Sequence, residues 1–317
     1  MSRMRCVFGM LAVLAIAGCT VEDTTPGDVA GGGDVKRIMV DGSSTVEPIT
    51  SRIAEKFEVE FSDVQVPVKV TGTGTGFKEL IAGRIDIANA SRPIKDSEKE
   101  ECQKNGIEFV ELKIAIDGLS VVVHPENDWV TSLTVAQLKK IWEPGSTVTK
   151  WSDVDPSWPD HKISLFGAGE ESGTFNYFTE AINGKDGAIT ENYSPSGDDN
   201  VIATGVAGDK YAMGFFGYAY YSRNKEKLKV VAVSPTENLA DAVAPTPETI
   251  EAGTYTPLSR PLFIYVKKAS LSRPEVEDFV RFYLGAGQAE VAAAGYVALS
   301  AAEVEASKAA FESAVGK

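Results

Sequence analysis

Apolar residues along the chain alternate between strand-like runs and helix-like spacings of three and four, the signature of an α/β architecture. Residues 37–40 (RIMV) read as a strand, and DGSST leads from it into a helix. That helix carries Val46, Ile49, Ile53, Phe57 and Phe61 on one face, and Ser44 with Glu47 has the capping-box spacing that places its start at the Ser44–Thr45 pair. Val64, Val66, Val68 and Val70 then alternate with polar residues or proline as in a strand, and Phe77, Leu80 and Ile81 begin a second helix. Further strands are expected over 85–94, broken into a loop by Pro93, and over 118–125, 162–169 and 261–266. Helices are expected over 133–142, capped by Thr134 and Gln137, and over 172–182, with Phe175, Phe178 and Ile182 on one face. From Pro274 onward the pattern is helical, with no chemistry assigned to it, and no internal repeat is present.

The chain has 317 residues, enough for two domains of about 150 residues each or one large one. Hydrophobic residues are 43% of it, so a substantial core is available, and the net charge is −14. That charge argues against nucleic acid or an anionic membrane surface as partner. A small anion is still compatible, because charges beyond a Debye length of about 8 Å are largely screened and local dipoles decide. The first residues alter the picture most. Arg3 and Arg5 precede an apolar run over 7–17, which reads as a secretory signal over residues 1–18 and is short for a membrane span. Ile16-Ala17-Gly18-Cys19 resembles a bacterial lipobox, which implies cleavage before Cys19 and lipid attachment to its sulfur; a simple signal peptide cut nearby is the alternative. Residues 19–34 read as a flexible tether, and an acylated Cys19 leaves Cys102 without an intrachain disulfide partner.

Three strand-to-helix turns carry hydroxyls or glycines where a helix is expected to begin: Ser43-Ser44-Thr45, Thr73-Gly74-Thr75-Gly76 and Ser172-Gly173-Thr174. Each would offer backbone N–H groups, hydroxyl donors and the positive end of a helix dipole. Ligands of open α/β sheets sit beyond the carboxyl ends of strands, where such turns collect, so convergence of the three would surround one small oxyanion with neutral donors. Ser, Thr and Gly are also ordinary caps, and one such turn alone would mean little. Arg92, in NASRPI, could supply a planar fork to the anion, or could pair structurally with Asp86 or a surface carboxylate. Catalysis has little support. The chain has only His124 and His161, no G-x-S-x-G elbow and no Walker-type lysine motif. No metal-ligand spacing stands out, with Asp198-Asp199 the nearest to one, and no cofactor is expected.

The stretches DGSSTVEPI, TGTGTGFKELIAGRIDIANASRPIK, ESGTFNYFTEAI and GDDNVIATGVAGDKYAMGFFGYAYY occur in an order that resembles the phosphate-binding proteins of bacterial phosphate ABC transporters, the PstS family. The likeness extends over most of residues 37–266. It implies a two-lobed periplasmic-binding-protein fold, with the ligand cleft between the lobes and a hinge that the chain crosses twice. Residues 35–114 plus 258–317 would form one lobe and 115–257 the other. Carried over, Ser44, Thr45 and the Val46 amide would bind phosphate from the first turn, Thr73, Gly74 and Thr75 from the second, and Ser172, Gly173 and Thr174 from the opposite lobe. Two departures stand out: many members have an aspartate where this chain has Arg92, and an arginine near Ala168. The chain looks like a branch in which the cation has moved to the other lobe and the usual carboxylate acceptor is missing. Glu171 is the candidate replacement, a carboxylate able to accept the proton that phosphate keeps and sulfate lacks, or else a simple helix-start acid. The resemblance implies a monomeric, lipid-anchored protein of the periplasm or cell envelope that passes inorganic phosphate to the permease and ATPase subunits of an ABC importer. Other readings to be tested are a sulfate or arsenate binder, an envelope phosphatase, and a signalling or adhesion lipoprotein.

Overall fold

The computed structural model describes residues 35–170 and 172–316. The expectations for the signal, Cys19, the tether and Glu171 fall outside the described residues.

One long strand, Phe109–Val123, organises the molecule because its sequence is apolar enough to be buried along nearly its whole length. Its first part pairs antiparallel with Ser259–Lys267, which in turn pairs antiparallel with Ile87–Ala90; Val40–Gly42 lies parallel beside the latter. Its last part pairs antiparallel with Ala212–Gly217, followed by Ser164–Ala168 and Ser194–Ser196, all parallel to one another. The two strand sets therefore run in opposite senses along the shared strand. Ala90 is level with Phe263, which faces Lys113, whereas Gly217 faces Leu119. The carboxyl ends of both sets thus meet at the middle of the shared strand, where Asp117 and Arg260 are register partners. This is where an open α/β sheet places its ligand.

Packing follows the same division. Ile38, Val40, Ile53, Phe57, Leu112, Ile114 and Ala115 share a core with Leu262, Ile264, Phe279, Tyr283 and Phe311. The opposite face of that half buries Phe77, Leu80, Ala88, Phe263 and Tyr265. A separate core runs from Ile116 to Leu258 and adds Leu299; within it Phe178 stacks on Phe215 and Trp142 packs edge-on against both. The helical tail expected from Pro274 is present as Pro274–Leu284, Ala289–Ala293 and Ala301–Val315. Among the described residues no helix is long and apolar enough to cross a membrane.

The Thr134–Gln137 capping box forms reciprocally, with bonds of 3.0 and 3.1 Å. Other local expectations are revised. The Ser44–Glu47 box does not form: the helix is Glu47–Glu60, with no side-chain cap, and the Glu47 carboxylate accepts from Ser51 Oγ at 2.6 Å instead. Pro48 suits the first turn, since it has no N–H to satisfy there. The strand expected over 64–70 is regular only at Val64–Gln65, because Pro67 cannot donate to a ladder. The RIMV strand divides into Lys36–Arg37 and Val40–Gly42. Thr73 to Gly76 do not precede the second helix but form its first turn, in Thr73–Ile81. Gly72 caps it at φ +89°, a left-handed conformation that favours glycine. Cys102 is buried and has no disulfide partner among the described residues.

Candidate anion-binding site

Ser44, Thr45, Thr73, Gly74 and Arg92 line one cavity of about 390 Å³, together with Ser91, Asn176, Glu180, Asp186 and Arg260. Ser172, Gly173 and Thr174 line an adjoining cavity that shares Ser44 and Val70 with the first. The two turns touch. A methyl group built on Gly173 would lie 2.8 Å from both Cα and Oγ1 of Thr45, so only glycine permits this approach. All three hydroxyl-bearing turns therefore come to one place from chain segments far apart in sequence. A larger cavity of about 490 Å³ lies elsewhere, among Ile141, Lys162, Leu165, Thr190 and Tyr193, and includes none of the turns.

The donors differ in availability. Ser43 Oγ accepts from the Thr45 N–H at 3.2 Å, and the Val46 N–H donates to the Ser43 carbonyl, also at 3.2 Å. Both amides are thus already engaged within the turn. By contrast, the N–H groups of Thr73, Gly74 and Thr75 belong to the first turn of a helix, which has no acceptor of its own. A methyl group on Gly74 would meet nothing within 4 Å, so the backbone there faces open space. Thr75 itself lines a neighbouring cavity that shares Gly72, Gly74 and Arg92 with the first. Thr73 Oγ1 lies 3.1 Å from Ser91 Oγ and accepts from the Ser91 N–H, which fixes the second turn to the end of strand Ile87–Ala90. Ser172 caps Gly173–Asn183 by accepting from the Thr174 N–H at 3.1 Å, leaving its own hydroxyl proton free to donate.

Two guanidinium groups serve the cavity. Arg92 is held by Glu98 through a two-pronged pair of 2.9 and 2.8 Å and lies over the Phe77 ring. Its carboxylate partner is thus Glu98, whereas Asp86 pairs with Arg273. The bond to Glu98 pushes the Arg92 pKa further up. Arg260 was not anticipated. Its Nη2 donates to Thr45 Oγ1 at 3.0 Å, its Nε approaches Asp117 Oδ2 at 3.4 Å, and its Cζ lies 3.7 Å from the centre of the Tyr177 ring. Burial pushes the Asp117 carboxyl above the usual range, with Arg260 opposing the shift. A lone acid inside the apolar run 114–123 is the one sequence feature that signals this pair, since a buried carboxylate needs a cation. The cavity is also not lined by neutral donors alone, because Glu180 and Asp186 form part of its wall. Glu180 Oε2 lies 4.0 Å from Arg260 Nη1.

Neither histidine lines these cavities: His124 Nδ1 accepts from the Glu126 N–H, and His161 stacks on Tyr211. Asp198 caps helix Asp199–Ala207 by accepting from the Asn200 N–H. Among the described residues no cluster of three or more His, Cys, Asp or Glu is placed to hold a metal.

Residues 27–286 match the family described as a PBP superfamily domain. The chain belongs to that family. It is 43% identical to protein SphX of Synechocystis sp. over 292 residues, 91% of this chain and 83% of the relative. It is 41% identical to the phosphate-binding protein PstS of Staphylococcus haemolyticus over 259 residues, 81% of this chain and 79% of the relative. The crystal structure of a possible phosphate binding protein from Planctomyces limnophilus superposes with a TM-score of 0.85 at 47% identity, covering 89% of this chain and all of that one. The fold is accordingly the mixed α/β fold of periplasmic binding proteins.

Proposed function

We propose that this protein captures inorganic phosphate in the cleft formed by the three turns and delivers it to the permease and ATPase subunits of an ABC importer. It is a binding protein and not an enzyme. The observation that carries the reading is the convergence of the Ser43–Thr45, Thr73–Thr75 and Ser172–Thr174 turns with Arg260 in a family of solute-binding proteins. Unsatisfied amides of a helix N-terminus, hydroxyl donors and a guanidinium suit a tetrahedral oxyanion. A micromolar affinity requires about 8 kcal/mol net, within reach of several such bonds in a pre-shaped cleft.

Residues 35–114 with 258–317 act as one lobe and 115–257 as the other. Ligand contacted from both sides has its highest affinity for the closed arrangement. Ser44, Thr45, Val46, Thr73, Gly74, Thr75, Arg92, Ser172, Gly173 and Thr174 form the proposed binding set, to which Arg260 is added; Thr45 contributes through its hydroxyl, and the Val46 amide joins only by leaving the Ser43 carbonyl that it donates to here. Glu171 is the proposed acceptor of the phosphate proton, and Glu180 is the rival carboxylate on the cavity wall. The mature protein begins at a lipidated Cys19, is anchored by that lipid in the periplasm or cell envelope and acts as a monomer.

Titration calorimetry with phosphate, sulfate and arsenate tests the ligand. Phosphate should bind at micromolar or tighter affinity and should not be displaced by equimolar sulfate. Tighter sulfate binding, or no heat with any of the three, overturns the reading. Intact-mass measurement of detergent-extracted protein tests the anchor through the acyl adduct on Cys19.

A further inference from the structure

We infer that Tyr177 is a positioning residue for the anion site: its ring holds the Arg260 guanidinium by the face, so that the N–H edge stays directed at the ligand. The inference rests on the phosphate-binding reading above, and its test separates the two.

Tyr177 lies one turn beyond Gly173 and Thr174 on helix Gly173–Asn183 and is almost fully buried. It makes two contacts that converge on one segment. Its ring centre is 3.7 Å from Arg260 Cζ, inside the range of a strong cation–π contact. Its hydroxyl donates to the Pro257 carbonyl at 2.6 Å, three residues ahead of Arg260. The side chain thus grips both the guanidinium and the backbone that leads to it. A cation–π contact uses the flat face of the guanidinium and leaves the edge donors free. Two of those donors are already aimed, Nε at Asp117 and Nη2 at Thr45. The ring therefore limits the remaining freedom, which is tilt out of that plane.

The consequence is coupling between segments distant in sequence. The helix bearing the Ser172–Thr174 turn also carries the ring that orients Arg260, and the Arg260 edge contacts Thr45 of the first turn. Displacing that helix removes a binding turn and releases the guanidinium in one movement. Burial drives the Tyr177 pKa far above the usual tyrosine range, so the hydroxyl keeps the proton it donates.

The test changes the charge distribution of the ring while keeping its volume. Tyr177→Phe and Tyr177→pentafluorophenylalanine are compared in the full chain, with Arg260 present and in the Arg260→Ala background. Phosphate affinity should fall at least fivefold from the Phe to the pentafluoro variant when Arg260 is present, and by less than twofold when it is absent. Equal affinities with Arg260 present, or the same loss without it, overturn the inference, since a ring that merely fills space gives that pattern. A ligand-free measurement decides independently. In the wild type the Arg260 Nε–H resonance should be displaced by the ring current and slow to exchange; in Tyr177→Leu it should be neither. A wild type that binds no phosphate but shows that resonance sinks the phosphate reading and supports the role of the ring. An Arg260 signal identical in wild type and Tyr177→Leu overturns it.

Discussion

Arg260 Nη2 donates to Thr45 Oγ1 at 3.0 Å although the two residues stand 215 positions apart, and the same guanidinium presents its Nε to the buried carboxylate of Asp117. The contact ties the turn after strand Val40–Gly42 to the middle of the sheet, where the two strand sets meet. Removing Arg260 should therefore act on both binding and folding. Arg260→Ala should weaken phosphate binding by two orders of magnitude, consistent with losing charge-assisted bonds of about 1.5–3 kcal/mol each. It should also cost about 3 kcal/mol of stability, because Asp117 is left buried without a cation. Adding Asp117→Asn should recover most of the stability and none of the affinity. Calorimetric affinity and chemical denaturation of the single and double variants check both parts.

Local features of this site were legible in the sequence because their causes are local. Hydroxyl and glycine turns mark helix starts, and the three such turns noted in the sequence come together in the structure. Arg260 was not legible, because nothing in LSRPLF distinguishes it from any other arginine at the start of a strand. Its role follows from register with Asp117, a pairing between strands more than a hundred residues apart. The failed Ser44–Glu47 box has a local cause that spacing alone could not reveal: the helix begins at Glu47, so Ser44 is not its cap and Glu47, at the first helical position, accepts from Ser51 one turn on. Overall architecture was legible through the ordered motifs and the alternation of element types. Strand bounds near Pro67 were less so, since the valine pattern continues past the point where the ladder loses its donor.

Gly173 and Gly74 should respond differently to the same substitution. A methyl group at Gly173 meets the backbone and hydroxyl of Thr45 at 2.8 Å, and the two turns must separate to admit it. Gly173→Ala should lower phosphate affinity at least tenfold. Gly74→Ala, whose methyl group enters open space, should lower it less than threefold. Thermal unfolding without ligand should differ little between the two, which assigns the effect to closure of the site. Equal affinities for the two variants would show that the Gly173–Thr45 contact does not matter for binding.

The proton of phosphate is the basis for rejecting sulfate, and a site built around such a hydrogen bond can discriminate by about 10⁴–10⁵. Glu171→Gln should narrow the gap between phosphate and sulfate affinities at least tenfold, mainly by admitting sulfate. Glu180→Gln should leave the gap within threefold of wild type. Competition titrations at pH 6 and pH 8 decide the assignment, and the reverse pattern transfers the acceptor role to Glu180.

Arg92 and Glu98 give a prediction for acid sensitivity. Burial of Glu98 raises its pKa, but the bonds from the Arg92 guanidinium and the Lys95 N–H outweigh that and hold the carboxyl below its ordinary value of 4.5. The unfolded chain then binds the proton more readily than the folded one, so stability from this group rises with pH. It is fully present above about pH 4.5 and is lost as pH falls through the lowered folded value. Glu98→Gln should be less stable than wild type by about 1–2 kcal/mol at pH 7, in keeping with a partly buried two-pronged pair. The difference should shrink steadily as acid protonates Glu98 in the wild type. Arg92→Ala should lose the same pH-dependent stability and bind phosphate at least tenfold more weakly. Melting curves from pH 7 to pH 3 read the first effect and calorimetry the second; an unchanged affinity would confine Arg92 to its contact with Glu98.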